Sequence, residues 1–159
     1  MKITVIALGT LSQKMYADAF HEYTKRFAPY GSIECVELRE KRLGDSPSAG
    51  QIAAALDAEA EMIIEKIPRR AYVVAMAVEG KEITSEEFAA LFDRRMTEGV
   101  PEFCFIVGSS FGLSDKVKRR ADMMLSMSKM TFPHQLARVM LAEQIYRAAQ
   151  ILAGGKYHK

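Results

Sequence analysis

The feature that most constrains the fold is an alternation of short apolar runs with longer segments of helical periodicity. Five runs rich in apolar and β-branched residues are typical of strands. Each is followed by a segment in which apolar residues recur every three or four positions, as on one face of a helix. This alternation predicts an α/β fold with a mostly parallel sheet and helices on both faces. The predicted strands cover residues 2–8, 32–38, 71–78, 103–107 and 123–125.

Local signals set the helix boundaries. Thr84 with Glu87 forms a capping-box pattern, and Ser114 can cap a short helix. A long final helix opens at Pro133, because proline suits the first turn of a helix. We expect a turn at residues 80–83 and a charged loop at 39–50. The predicted helices cover residues 12–27, 51–67, 84–98 and 115–121, followed by the final helix.

Length and composition restrict the class of protein. A chain of 159 residues favours one domain spanning residues 1–159. No apolar run reaches the roughly 18 residues of a membrane span, and the first residues lack the pattern of a signal peptide. We therefore expect a cytoplasmic protein. Both cysteines lie in apolar runs and the three histidines are far apart, so we expect no metal site.

The charge pattern is weak evidence for a nucleic-acid partner. The formal net charge is only +2, whereas dedicated nucleic-acid domains are often much more basic. Local clusters occur, and for at least half of them we favour an ordinary solvated surface. The clusters are Arg69–Arg70, Arg94–Arg95, residues 116–120 and residues 156–159.

The final helix carries more apolar surface than packing on one sheet requires. Leu141, Ile145, Ala148 and Leu152 form one stripe, and a neighbouring face also carries apolar residues. The second face consists of Leu136, Val139, Met140 and Tyr146. The extra face predicts a homodimer built on this helix, and deeper burial within one chain is the alternative.

Three loops follow three predicted strands and are expected to converge at one edge of the sheet. They are residues 78–81, 108–112 and 126–131. Gly108 permits close approach of a ligand to the backbone. No GxGxxG or GxxxxGK[ST] motif occurs, which disfavours dinucleotides and triphosphates. Backbone groups, hydroxyls and apolar side chains suit an uncharged nucleoside with a sulfonium arm, although the methionines are also ordinary core filler.

Other polar residues give weaker signals. His134 in the first helical turn, and Glu143 with Arg147 four residues apart, favour structural roles. The ending after Gly154 and Gly155 is typical of a frayed terminus. A non-catalytic RNA-binding factor and an oxidoreductase both stay open at this point.

Three stretches make the chain similar to a known family: LSMSKMTFPHQLARVMLAEQIYRA, GSSFGLSDKV and the ending GGKYHK. Together they resemble the RlmH family of the SPOUT superfamily, and the resemblance covers nearly the whole chain. It implies methylation of N3 of a pseudouridine in 23S ribosomal RNA on the assembled ribosome, with S-adenosylmethionine as methyl donor and no metal. It also implies a homodimer and a C-terminal trefoil knot. A methyltransferase acting on another RNA or on protein is the remaining alternative.

The resemblance places the methyl donor against Met76 of the third predicted strand, against Gly108, and against residues 127–132. Family members commonly have leucine at Met76, glycine at Ser109 and lysine at Thr10. For the reaction itself we expect Tyr157 and His158 to reach the partner subunit's site, and Arg138 to hold an RNA phosphate. Lys156 and Lys159 add positive charge. The implied donor-binding residues are Met76, Gly108, Met127, Ser128, Lys129, Met130, Thr131 and Phe132.

Overall fold

The computed structural model describes residues 1–158, in which strands and helices alternate as the sequence predicts. Each predicted strand and helix is present, with ends shifted by a few residues at most places. A short 3-10 turn at Lys156–His158 follows the last helix. The elements are β1 Lys2–Leu8, α1 Lys14–Phe27, β2 Ser32–Leu38, α2 Ala49–Lys66, β3 Tyr72–Glu82, α3 Ser85–Thr97, β4 Glu102–Val107, α4 Asp115–Arg120, β5 Met123–Ser126 and α5 His134–Leu152.

The five strands form one sheet in the order β2-β1-β4-β3-β5, and every neighbouring pair is parallel. β4 lies in the middle, and its residues from Phe103 to Val107 are buried. Burial on both faces explains its uninterrupted apolar sequence. The carboxyl ends of β4, β3 and β5 are adjacent, so the loops that follow them meet at one edge.

Helices cover both faces of the sheet, which confirms the predicted layers. On one face, Phe27 of α1, Phe92 of α3 and Ile145 of α5 share a core with Phe105 of β4. On the other face, α2 and α4 pack against a second core cluster. The capping boxes at Ser48 and Thr84 are both formed, which fixes the starts of α2 and α3.

The prediction of a turn at residues 80–83 is wrong. β3 runs on to Glu82. After Met76 pairs with Leu125 of β5, the chain bulges outward and then pairs with β5 again, with Lys81 opposite the same Leu125. Gly80 makes this return possible, because a Cβ there would lie 2.7 Å from the Leu125 backbone. The bulge pushes residues 77–79 out toward the loops at this edge.

The final helix buries most of its first apolar stripe in its own chain and covers part of its second face. Leu141, Ile145 and Ala148 of the first stripe are buried in the core of their own chain, whereas Leu152 at its end is exposed. On the second face, Tyr146 packs against Tyr23 of α1, with ring centroids 6.3 Å apart. All four residues of that face, Leu136, Val139, Met140 and Tyr146, are partly exposed. Within residues 1–158, no helix is long and apolar enough to cross a membrane.

Candidate functional site

A cavity of about 720 Å³ opens where the three loops meet, and we call it the donor cavity after the methyl donor that the resemblance implies. Its wall comes from the β3 bulge, the loop after β4, the loop after β5 and the first turn of α5. This volume is within the range of about 300–1,000 Å³ common for small-molecule sites. Every residue implied for the methyl donor lines the cavity except Lys129, which is exposed on the same loop. The predicted convergence of the loops is therefore confirmed.

The loop after β5 is held in shape by its own hydroxyl groups. The Ser126 hydroxyl donates to the carbonyl of Ser128 at 3.0 Å. The Ser128 hydroxyl in turn accepts from the N–H of Met130 at 3.0 Å. These bonds give the loop a fixed backbone before any ligand arrives, which lowers the entropy cost of binding. The hydroxyls predicted to face a ligand thus serve partly to build the loop.

Gly108 is required by the loop itself. A Cβ at this position would lie 2.3 Å from the carbonyl oxygen of Gly112, so any side chain would collide with the backbone. The requirement arises from loop closure, in addition to any close approach by a ligand. The next residue, Ser109, has no positive φ, so its backbone does not require the glycine that the family resemblance implies there.

Ser109 connects the loop after β4 to a buried carboxylate. Its hydroxyl donates to Glu59 of α2 at 3.3 Å, and the other oxygen of Glu59 accepts the N–H of Lys41 at 2.8 Å. Glu59 is 3% exposed, and burial raises its pKa. The carboxylate thereby fixes the loop after β2 beside the loop after β4.

Arg138 lies beneath the site and does not face solvent. Its guanidinium is fully buried and donates to the carbonyls of Leu8 at 2.5 Å and Gly9 at 2.8 Å, and to Glu37 at 3.0 Å. A guanidinium in this position is not open to an RNA phosphate, so its placement argues against the predicted contact. It joins α5 to the ends of β1 and β2. The sequence did indicate that Arg138 lies on the buried face of α5, because it precedes Leu141 and Ile145 by three and seven positions, and such positions share one helical face.

The C-terminal tail is folded onto its own chain. The Tyr157 hydroxyl donates to Glu143 at 3.2 Å, and the Tyr157 ring contacts Tyr146 edge-on, with centroids 4.9 Å apart. His158 Nε2 lies 2.8 Å from Glu86 at the start of α3. The frayed-end alternative does not describe residues 156–158, and Lys159 lies outside the described residues.

The tail carries two shifted ionisations. Burial, together with Tyr23 and Glu143, raises the pKa of Tyr157 to about 12. The hydrogen bond from His158 lowers the pKa of Glu86 to about 2. Tyr157 is therefore a protonated hydrogen-bond donor at neutral pH, and Glu86 is a carboxylate that can orient the His158 imidazole.

A second groove connects the tail with the donor cavity. It measures about 490 Å³ and includes Tyr23 and Glu143, which surround Tyr157. Met76 and Met127 belong to both the groove and the donor cavity. The predicted pair of Glu143 and Arg147 is present, with Nε to Oε1 at 3.0 Å. Sequence reasoning did not anticipate that Glu143 also holds Tyr157.

Comparison with known proteins agrees with this arrangement. The model of a family described as "Predicted SPOUT methyltransferase" matches residues 1–158. The chain belongs to the SPOUT methyltransferase family. A protein named ribosomal RNA large subunit methyltransferase H from Bacillus pumilus (strain SAFR-032) is 44% identical over 159 residues, covering 100% of both chains. The protein of the same name from Streptococcus agalactiae serotype III (strain NEM316) is 42% identical with the same coverage.

The solved structures support the fold of this SPOUT chain. A tRNA (m1G37) methyltransferase from Aquifex aeolicus superposes with a TM-score of 0.57 at 12% identity, covering 92% of this chain and 70% of that one. Similarity at this level concerns the fold alone. The trefoil knot stays a prediction from the family resemblance.

Among residues 1–158, no group of three or more His, Cys, Asp or Glu side chains is placed to hold a metal ion.

Proposed function

We propose that this SPOUT protein methylates N3 of a pseudouridine in 23S ribosomal RNA on the assembled ribosome, in the cytoplasm, as a single-domain enzyme. The observation that carries the proposal is the cavity at the ends of β3, β4 and β5, which collects nearly all residues implied for the methyl donor. The full-length relatives named large-subunit methyltransferase H supply the substrate class.

The wall of the cavity fits S-adenosylmethionine, which supplies an electrophilic methyl group when bound. Met76, Met127 and Phe132 offer apolar surface for a nucleoside, and the backbone around Gly108 and Ser128 offers polar groups for its edges. The loop hydroxyls already hold these backbone groups in place. The main task of this chain is then alignment, because methyl transfer is an in-line displacement.

The tail residues fit the handling of the acceptor base. N3 of a pseudouridine must lose its proton to become a good nucleophile, and imidazole exchanges protons near neutrality. We assign this role to His158. Glu86 holds its Nε2, and its Nδ1 is buried in the folded-back tail with no partner among residues 1–158, so the role requires the tail to lift from its own chain. Tyr157 remains protonated, so it contributes a ring surface and a hydrogen-bond donor rather than a base. The tail folds onto its own chain here, and its delivery to a partner's site stays part of the proposal.

The proposal includes a homodimer, with the second copy seated on the groove beside α5. Val139 and Met140 line this groove and are partly exposed, unlike the buried Leu141 and Ile145. Met140→Glu should therefore yield folded monomers, whereas Leu141→Glu should unfold the chain. Light scattering at micromolar concentration reports the mass. A monomeric wild-type protein contradicts the dimer.

The decisive experiment uses ribosomes from a strain that lacks this gene. The purified protein with labelled S-adenosylmethionine should transfer one methyl group to N3 of a pseudouridine in 23S RNA. A variant lacking Tyr157, His158 and Lys159 should bind the donor normally by calorimetry but lose most transfer. Wild-type transfer by the truncated protein would refute the tail assignment. Donor binding with transfer only to another RNA or to protein would refute the substrate.

A further inference from the structure

Four arginines lie together at the edge of the sheet opposite the donor cavity. Arg69 and Arg70 stand shortly before β3, and Arg119 and Arg120 end α4 shortly before β5. β3 and β5 are parallel neighbours, so both pairs lie at the edge where these strands begin. The donor cavity lies at the edge where they end. We call these four residues the arginine edge.

The strand register brings the two pairs side by side. Val74 is paired with Met123, and one residue earlier the N–H of Asp122 donates to the carbonyl of Val73 at 2.8 Å. The preceding residues, Ala71 and Ala121, pack against the same core cluster. Each alanine directly follows one pair of arginines, so the common packing of the alanines places the pairs close together.

The positive charge of the arginine edge is not neutralised by ion pairs. All four side chains belong to exposed residues, and within residues 1–158 none forms an ion pair with a carboxylate. The neighbouring Asp122 accepts a hydrogen bond from the N–H of Val73 at 2.8 Å. On the same helix, by contrast, Lys116 and Lys118 pair with Glu61 and Glu79. The chain therefore leaves free cations at one edge while pairing others nearby.

We propose that the arginine edge binds the phosphate backbone of ribosomal RNA at a place distinct from the methylated base. This inference rests on the proposed function and names a second contact with the same substrate. Arginine presents a planar fork that matches phosphate oxygens, and phosphate contacts position a protein without reading sequence. The distance from Tyr72 to Met76 along β3 is roughly 13 Å at about 3.3 Å per residue, so the edge reaches other nucleotides.

The test compares three variants, each with four substitutions. The first changes the four residues of the arginine edge to glutamine, and the second changes the same four to lysine. The control replaces four cations that are already paired with carboxylates, and so removes the same net charge. The control positions are Lys14, Arg26, Lys66 and Lys116, changed to glutamine. Affinity for ribosomes and for protein-free 23S RNA is measured across a range of salt concentrations, with donor binding by calorimetry for each protein.

The expected result is a change in salt dependence. Losing four phosphate contacts should reduce the slope of log affinity against log salt by about three, since each contact contributes roughly 0.7–0.9. The lysine variant and the paired-cation control should keep slopes close to wild type, and all proteins should bind the donor equally. A wild-type slope in the glutamine variant overturns the inference. So does weaker ribosome binding with unchanged binding to protein-free RNA, which would indicate an acidic protein partner.

The two proposals fail in different ways. If wild-type protein does not methylate ribosomes, the proposed function is wrong, whatever the slopes are. If wild-type protein methylates ribosomes and the glutamine variant keeps its slope, only the arginine edge is wrong. The salt dependence of RNA binding therefore tests the arginine edge, and the methylation assay tests the proposed enzymatic function.

Discussion

Replacing Arg138 with alanine tests whether this residue holds the fold together or contacts RNA. The side chain is fully buried and gives hydrogen bonds to two backbone carbonyls and one carboxylate. In the alanine variant, the carbonyl oxygens of Leu8 and Gly9 lose this donor at the end of β1. The Glu37 side chain is 34% exposed and keeps the N–H of Leu11 as a partner at 2.9 Å, so its loss is smaller.

The cost follows from these contacts. A buried acceptor left without its donor costs about 1–3 kcal/mol, and the lost side-chain volume adds a cavity term. Relief from burying a charge offsets part of this sum. We therefore expect a loss of about 3 kcal/mol in the free energy of unfolding. For a chain of this size, that corresponds to a fall in Tm of about 6–12 °C.

Urea titration and calorimetry of the Arg138→Ala variant measure this loss directly. Arg94→Ala is the matched control, because Arg94 is exposed and its replacement should change stability by no more than about 0.5 kcal/mol. Arg138→Lys should be intermediate, since an ammonium keeps the charge but cannot reach three acceptors in a fork. If Arg138→Ala melts like wild type yet fails to methylate ribosomes, the buried-support account is wrong and a substrate role returns.

Three further predictions concern single positions. Gly108→Ala should destabilise the folded chain, because its Cβ would meet the Gly112 carbonyl at 2.3 Å; a Tm equal to wild type by calorimetry would contradict the close contact. Burial raises the pKa of Cys35 to about 11 and that of Cys104 to about 12, so neither thiol should react with a disulfide reagent near pH 8 until the chain is unfolded; rapid native labelling would contradict this. The contact with His158 lowers the pKa of Glu86 to about 2 from an ordinary value of 4.5. This contact therefore stabilises the tail fully when the pH is above 4.5, and the stabilisation is lost as the pH falls toward about 2. NMR signals of Tyr157 should follow this transition, and Glu86→Gln should remove it.

The sequence predicted the architecture well because strand and helix periods differ and because Gly, Pro and capping residues mark the ends. The buried run of β4 and the capping box at Thr84 are examples. The β3 bulge was missed, since Gly80 looks like a turn residue in sequence. Its actual role, close approach to the Leu125 backbone, depends on the neighbouring strand. Local sequence carries no information about that neighbour.

The candidate site was only partly predictable. The convergence of three loops follows from parallel strand order, and the structure brings the implied donor residues together as expected. The second apolar face of α5 was assigned to a partner, but its Tyr146 packs against Tyr23 of the same chain. Helical spacing shows which residues share a face and not what covers that face. The buried bridge from Glu59 to Ser109 joins residues 50 positions apart, beyond any local pattern.

The central claim is tested most directly by mass spectrometry of 23S ribosomal RNA from a strain with this gene deleted, with and without the gene restored. The account predicts that one pseudouridine lacks its N3 methyl group in the deletion strain and regains it when the wild-type gene is returned. Restoring a gene that lacks the codons for Tyr157, His158 and Lys159 should leave the base unmethylated. Full N3 methylation of that pseudouridine in the deletion strain would contradict the account.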